Sequence, residues 1–189
     1  CYETTISTIN QAIEWFEKKS AGKAIFGGEA VKALEPAERR AVAARLMPKI
    51  RGLISKESHK VGHFDDSAAV LEFVNSKDLR KLAPLGTSCP DHYDRCKHPD
   101  SPAVRDTNAV VYLMPGVGMF TFAGDKATAR ISGEFYVNAI NVMRGASTVS
   151  SYVGLPEQEA FDIEYWLLED LKLQRLPKPK SLAGRIALV

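Results

Sequence analysis

The chain has 189 residues, 45% of them hydrophobic, with 25 basic and 23 acidic side chains and a formal net charge of +2. A chain of this length buries a core without disulfide staples, and its dispersed basic residues leave no stripe of the kind that binds nucleic acid. No apolar run approaches the ~20 residues of a membrane span, and residues 1–17 mix polar and apolar types unlike a signal peptide.

The chain opens in a helix. Tyr2, Ile6, Ile9, Ile13 and Phe16 recur every four or three residues and so share one face. No capping residue precedes Tyr2, so the start of this helix reads as cut. Ser20 to Gly28 reads as a loop, and Glu35-Pro36 opens a second helix, with proline at a first-turn position where its missing N–H costs nothing. Val42, Leu46, Ile50, Leu53 and Ile54 form its stripe, and Pro48 should kink or break it. His59 and His63, with Asp65 and Asp66, would share a metal only on a helix, which Gly62 and the β-like run after it disfavour.

Ala69 to Val74 (AVLEFV) reads as a short strand, followed by a helix capped by Ser76 with Leu79 and Leu82 inward. Leu85 to His92 (LGTSCPDH) is polar and turn-rich, the most site-like stretch. Asp91 and His92 in it are the candidate catalytic pair: a carboxylate beside an imidazole can orient a proton-transfer group. His98, before proline, has no assigned role. Ala109 to Met114 is the best strand; Pro115 to Gly118 turns sharply and Met119 to Phe122 extends again. Gly124-Asp125 caps a long helix to about Arg144, with Ile131, Phe135, Asn138 and Val142 on one face.

Pro156-Glu157 starts a last helix rich in aromatics, Phe161, Tyr165 and Trp166, which either pack or dock on a neighbouring domain. Pro177 to Lys180 is a stiff linker, and Leu182 to Val189 reads as the opening of a further strand. Cys1, Cys89 and Cys96 have no zinc-ribbon spacing; three unpaired thiols suit a reducing, cytoplasmic compartment.

Three segments together carry a resemblance: Leu85 to His92, Asn108 to Met143, and Tyr152 to Arg175. They resemble the bifunctional rhamnulose-1-phosphate aldolase/short-chain dehydrogenase family. The resemblance implies a class II aldolase-like α/β fold, a mixed sheet with flanking helices, incomplete and ending in the first strand of a Rossmann-type domain. It divides the chain into a tail helix (1–19), a helical connector (20–68), a degenerate aldolase-like part (69–150), a C-terminal helix (151–176), a linker (177–181) and the start of a dehydrogenase domain (182–189). It implies a parent enzyme that cleaves rhamnulose 1-phosphate to dihydroxyacetone phosphate and lactaldehyde and oxidises lactaldehyde with NAD. Zinc and NAD are expected in that parent and neither in this chain, which alone should be non-catalytic. Its partners would be the sugar phosphate and further copies of itself.

The resemblance also places the chain between landmarks it lacks. No HxH occurs, and Cys1 to Thr5 looks like the helix that follows the family's metal-binding Gly-His-Gly turn. Gly116-Val117-Gly118 looks like a second such turn whose central residue, valine, offers no ligand atom. It has no third glycine for a dinucleotide loop. Tyr152 and Lys172 lack the YxxxK spacing of a dehydrogenase pair. Related proteins carry several tens of residues between the PDH and YDRCK segments, where His92 and Tyr93 are adjacent here. The competing expectation is a stand-alone binding or oligomerisation module derived from the same fold.

Overall fold

The computed structural model describes residues 1–56, 58–86, 109–156, 158–159, 162, 166–178, 180–182 and 184–185. The loop expected to carry Asp91 and His92, with Cys89, Cys96 and His98, lies outside the described residues, as do Phe161 and Tyr165.

Helix α1 spans Tyr2–Ser20 and helix α2 Pro36–Ile54. Pro36 sits in the first turn of α2 as expected, but Pro48 does not end the helix. Strand β1 (Val61–Asp65) follows, then two short helices, α3 (Ala68–Val74) and α4 (Leu79–Leu82). Strands β2 (Val111–Met114) and β3 (Gly118–Ala123) form a hairpin that feeds the long helix α5 (Lys126–Val149). A last described helix, α6, covers Leu167–Gln174. Leu182 opens a turn, closed by a 3.0 Å bond from Arg185 N to Leu182 O; residues 186–189, where a strand was expected to continue, are outside the described set.

The strands form one sheet in the order β1-β3-β2, with both pairings antiparallel. Side chains alternate across it. Val111, Leu113 and Met119 face α3 and α5 and join Val70, Phe73, Ile140 and Met143 in the larger core. Phe120 and Phe122 face the other way and meet α2 through Ala43 and Ile54. The result is a three-layer α/β unit: α2 on one face of the sheet, α3 and α5 on the other. Close approach needs glycine on the α2 face, where Gly62 lies, whereas at Gly133 on the α5 face the space is that of ordinary contact. A side chain at Gly62 would meet Met47 and Phe122, and one at Gly133 would touch Thr121, His63 and Met119.

Four local expectations are corrected. AVLEFV is helix α3, not a strand. A short apolar run reads either way, and here one helical turn buries Val70, Phe73 and Val74 against α5. Ser76 is not a helix cap: the N-cap of α4 is Asp78, and the Ser76 hydroxyl donates to Phe73 O at 2.8 Å, closing the end of α3. On α5 the face with Ile131, Phe135 and Val142 is turned outward, while Ala129, Gly133, Tyr136, Ile140 and Met143 face the sheet. Leu53, counted in the stripe of α2, is also exposed.

Other expectations hold. Asp125 caps α5, its side chain accepting from Thr128 N at 2.9 Å. Two charges clamp α5 into the unit. Arg144 pairs with Glu72 of α3, and Lys23 donates to Thr148 O at 2.6 Å, at the helix end where a cation is favoured.

Candidate functional site

The glycine turn between β2 and β3 is the feature most like a catalytic landmark, and its geometry is fully described. Val117 N donates to Met114 O at 3.1 Å, closing the turn. Gly116 has φ +79° and Gly118 φ +144°, and a side chain at Gly118 would lie 2.6 Å from Asp65 O. Both positions therefore require glycine. From outside the hairpin, the buried Asn75 fixes the turn: its Oδ1 accepts from Gly116 N at 2.6 Å. Leu34 N donates to Gly116 O at 2.9 Å.

Asn75 also organises the connector before α2. Its own carbonyl accepts from Ala30 N and Val31 N, at 2.7 and 3.1 Å, and Lys77 N donates to Gly28 O at 3.0 Å. Within the same connector Phe26 takes a left-handed backbone (φ 51°), a conformation that costs a non-glycine residue about 1–2 kcal/mol. Its side chain is buried edge-on against Phe73, with centroids 5.1 Å apart, and that burial holds it there.

Could this turn hold the zinc that a class II aldolase needs? The described residues do not fit one. Val117, at the position where a ligand would stand, is 4% exposed and packs with Phe120 and Phe122 on the α2 side of the sheet. It has no donor atom and points into the core. The Asn75 oxygen is spent on Gly116. Among the described residues no group of three histidine, cysteine, aspartate or glutamate side chains is placed to hold a metal. His63 lies within β1 and His59 outside it, so the two do not share a helix face. Asp66 is committed to Arg39, 2.9 Å away.

The two flanks of the LGTSCPDH loop are described. Before it, Gly86 has φ +70° and its carbonyl accepts from the Tyr152 hydroxyl at 2.8 Å. After it, Ala109 is buried, and Phe122 N donates to Val110 O at 2.9 Å, extending the β2–β3 ladder. Tyr152 is thus a buried anchor in the larger core and not half of a catalytic pair. Sequence reasoning passed over Asn75 and the Thr121 hydroxyl, which donates to Ala129 O at 2.6 Å. The available signal for Asn75 was one polar residue ending an apolar run.

What the fold and the turn define is a helix–sheet–helix unit in which a strand–glycine turn–strand leads into a capped helix, and the central turn residue, Val117, offers no ligand atom. The chain matches the family "Aldolase class II, second domain" at residues 41–97 and 92–173, well over half its length, and it belongs to that family. It is also 30% identical, over 229 residues, to the "Uncharacterized oxidoreductase YuxG" of Bacillus subtilis (strain 168). That similarity covers the whole chain and 33% of the relative, so the chain spans about a third of the relative's length. The aligned length exceeds the 189 residues of the chain, so the relative carries residues with no counterpart here. The two family segments overlap at 92–97, a stretch that contains the His92–Tyr93 junction. No solved structure matches the chain.

Proposed function

We propose that this chain is the central part of a larger bifunctional enzyme: a class II aldolase unit that cleaves rhamnulose 1-phosphate to dihydroxyacetone phosphate and lactaldehyde, joined to a short-chain dehydrogenase that oxidises lactaldehyde with NAD. The observation that carries this reading is that one stretch both belongs to an aldolase second-domain family and aligns end to end with a third of an oxidoreductase. The glycine turn with its buried valine makes the described part a scaffold. Zinc, which polarises the ketose carbonyl when bound, and NAD are both held elsewhere in the larger protein.

The chemistry still needs protons moved. Breaking the carbon–carbon bond requires a base for the sugar hydroxyl and a donor for the enediolate left behind. Asp91 and His92 have the right groups for that work, and Tyr152 fixes the near flank of their loop through Gly86. The enzyme works in the cytoplasm, where its three thiols stay reduced, and as a homo-oligomer. No described helix is long and apolar enough to cross a membrane.

The test uses the longer protein that contains this chain. Purified enzyme should release dihydroxyacetone phosphate from rhamnulose 1-phosphate and reduce NAD with lactaldehyde. His92→Ala should lower aldol cleavage by about 10²–10⁴ while leaving the melting curve and the dehydrogenase rate unchanged. Wild-type turnover in that variant would remove His92 from the mechanism. No cleavage by the wild-type enzyme would remove the aldolase reading.

A further inference from the structure

After α6 the described chain runs exposed through residues 175–178 and 180–182, and then Gly184 is buried. It lies against the corner between α2 and β1. Its backbone has φ +69°, and a side chain there would lie 2.6 Å from His59 O and 2.7 Å from His59 Cβ. The left-handed backbone favours glycine, and the contact leaves no room for a Cβ. A segment that merely crossed the surface would show neither feature.

The corner that receives Gly184 is built from rigid parts. Arg51 stands in the last turn of α2, where a cation is favoured. Its guanidinium donates in two directions: Nε to Lys60 O, and Nη2 to Gly184 O at 3.0 Å, across 133 residues of sequence. Lys60 N donates to Ser55 Oγ at 3.1 Å, which ties the loop after α2 to the start of β1. Ile54 on one side of that loop and Val61 on the other are buried, and Val61 pairs with Ala123 of β3. The received turn is closed as well, by the 3.0 Å bond from Arg185 N to Leu182 O. Both guanidinium bonds are partly buried, where a hydrogen bond is stronger than in water.

We propose that this corner is an intramolecular docking seat: by holding Gly184 it fixes the point at which the chain leaves the aldolase unit, and so sets the position of the domain that follows. The inference rests on the arrangement proposed above, in which a dehydrogenase comes after residue 189. Domains joined through a free linker move relative to one another by default. A junction seated at Gly184 removes that slack next to the second domain. The seat is made of backbone carbonyls and one guanidinium fork, so it closes without a ligand.

The longer protein tests this through trypsin cleavage after Arg185, timed by mass spectrometry, with a free peptide of residues 178–189 as the unseated reference. Wild-type protein should be cut at least about 100-fold more slowly than the peptide, because cleavage follows the population of the open segment. Arg51→Ala removes both guanidinium bonds and should speed the cut by about 10–100-fold, the weight of a hydrogen bond to a charged group. Gly184→Ala should speed it through the clash with His59, whereas Gly22→Ala, at a left-handed glycine with open space around it, should not. The melting curve of the aldolase unit should stay unchanged in Arg51→Ala, and X-ray scattering of that variant should show a larger maximum dimension than wild type. Wild-type cleavage as fast as in the peptide, full protection in both Arg51→Ala and Gly184→Ala, or an unchanged scattering curve would overturn the proposal. A failure to oxidise lactaldehyde would instead remove the dehydrogenase reading and leave the protease result standing.

Discussion

Consider Asn75→Ala. Asn75 is 5% exposed, and its Oδ1 is the acceptor for Gly116 N at 2.6 Å, across a sequence separation of 41 residues. Alanine deletes that acceptor but leaves the backbone carbonyl that receives Ala30 N and Val31 N. Gly116 N–H then stays buried without this partner, because Gly116 itself is buried. An orphaned buried donor costs about 1–3 kcal/mol. For a chain of this size each kcal/mol lowers Tm by about 2–4 °C, so the midpoint should fall by about 2–12 °C. The control is Ser76→Ala. It removes a buried hydroxyl donor of similar size, but Phe73 O still accepts from Ser76 N at 3.1 Å, so no group is orphaned. Its cost should stay under about 1 kcal/mol. Paired denaturant and thermal melts measure both. If Asn75→Ala costs no more than Ser76→Ala, the account of Asn75 as the pin of the glycine turn is wrong.

Four further outcomes are expected. Val117→His should not create a zinc site, since position 117 points into the Phe120/Phe122 cluster; it should destabilise by about 1–3 kcal/mol for a buried imidazole without partners, and one tightly bound zinc after dialysis would refute this. Asp125→Ala should lose about 1 kcal/mol of cap stabilisation, read from chemical denaturation. The hydrogen bonds from Thr128 hold the Asp125 carboxyl below its ordinary pKa. Its contribution is therefore complete above the unfolded carboxylate pKa and disappears as pH falls through the lowered folded value; Asp125→Asn should flatten the stability profile over that acid window, and an unchanged profile would contradict the linkage. Arg51 donates to Lys60 O and Gly184 O, so Arg51→Ala should raise amide exchange around Gly184 while β3 stays protected; equal protection at Gly184 would show that Arg51 does not tether that segment.

Some of this protein was determined by local sequence alone. The four–three spacing of Tyr2 to Phe16 makes α1 a helix, Pro36 sets the first turn of α2, and Asp125 with Thr128 starts α5. The glycines at 116 and 118 set the hairpin between β2 and β3. Each of these rests on backbone geometry or on a hydrogen bond between residues a few positions apart, and such terms are written in adjacent letters. The tertiary structure decided the rest. AVLEFV is a helix because one turn of it fills the space beside α5, which periodicity over so few residues does not specify. The row Ile131, Phe135, Asn138 and Val142 faces outward, while Ala129, Gly133, Tyr136, Ile140 and Met143 face the sheet. Which row turns inward depends on what the sheet offers it: Ala129 packs over Thr121, whose hydroxyl donates to Ala129 O, and Ile140 and Met143 join the larger core. Asn75 gained its role only when the fold brought Gly116 to it, and Val117 became a core residue only when α2 covered the sheet. A hydrogen bond spanning 41 residues and a packed layer depend on which surfaces meet, and no short window of sequence contains both partners.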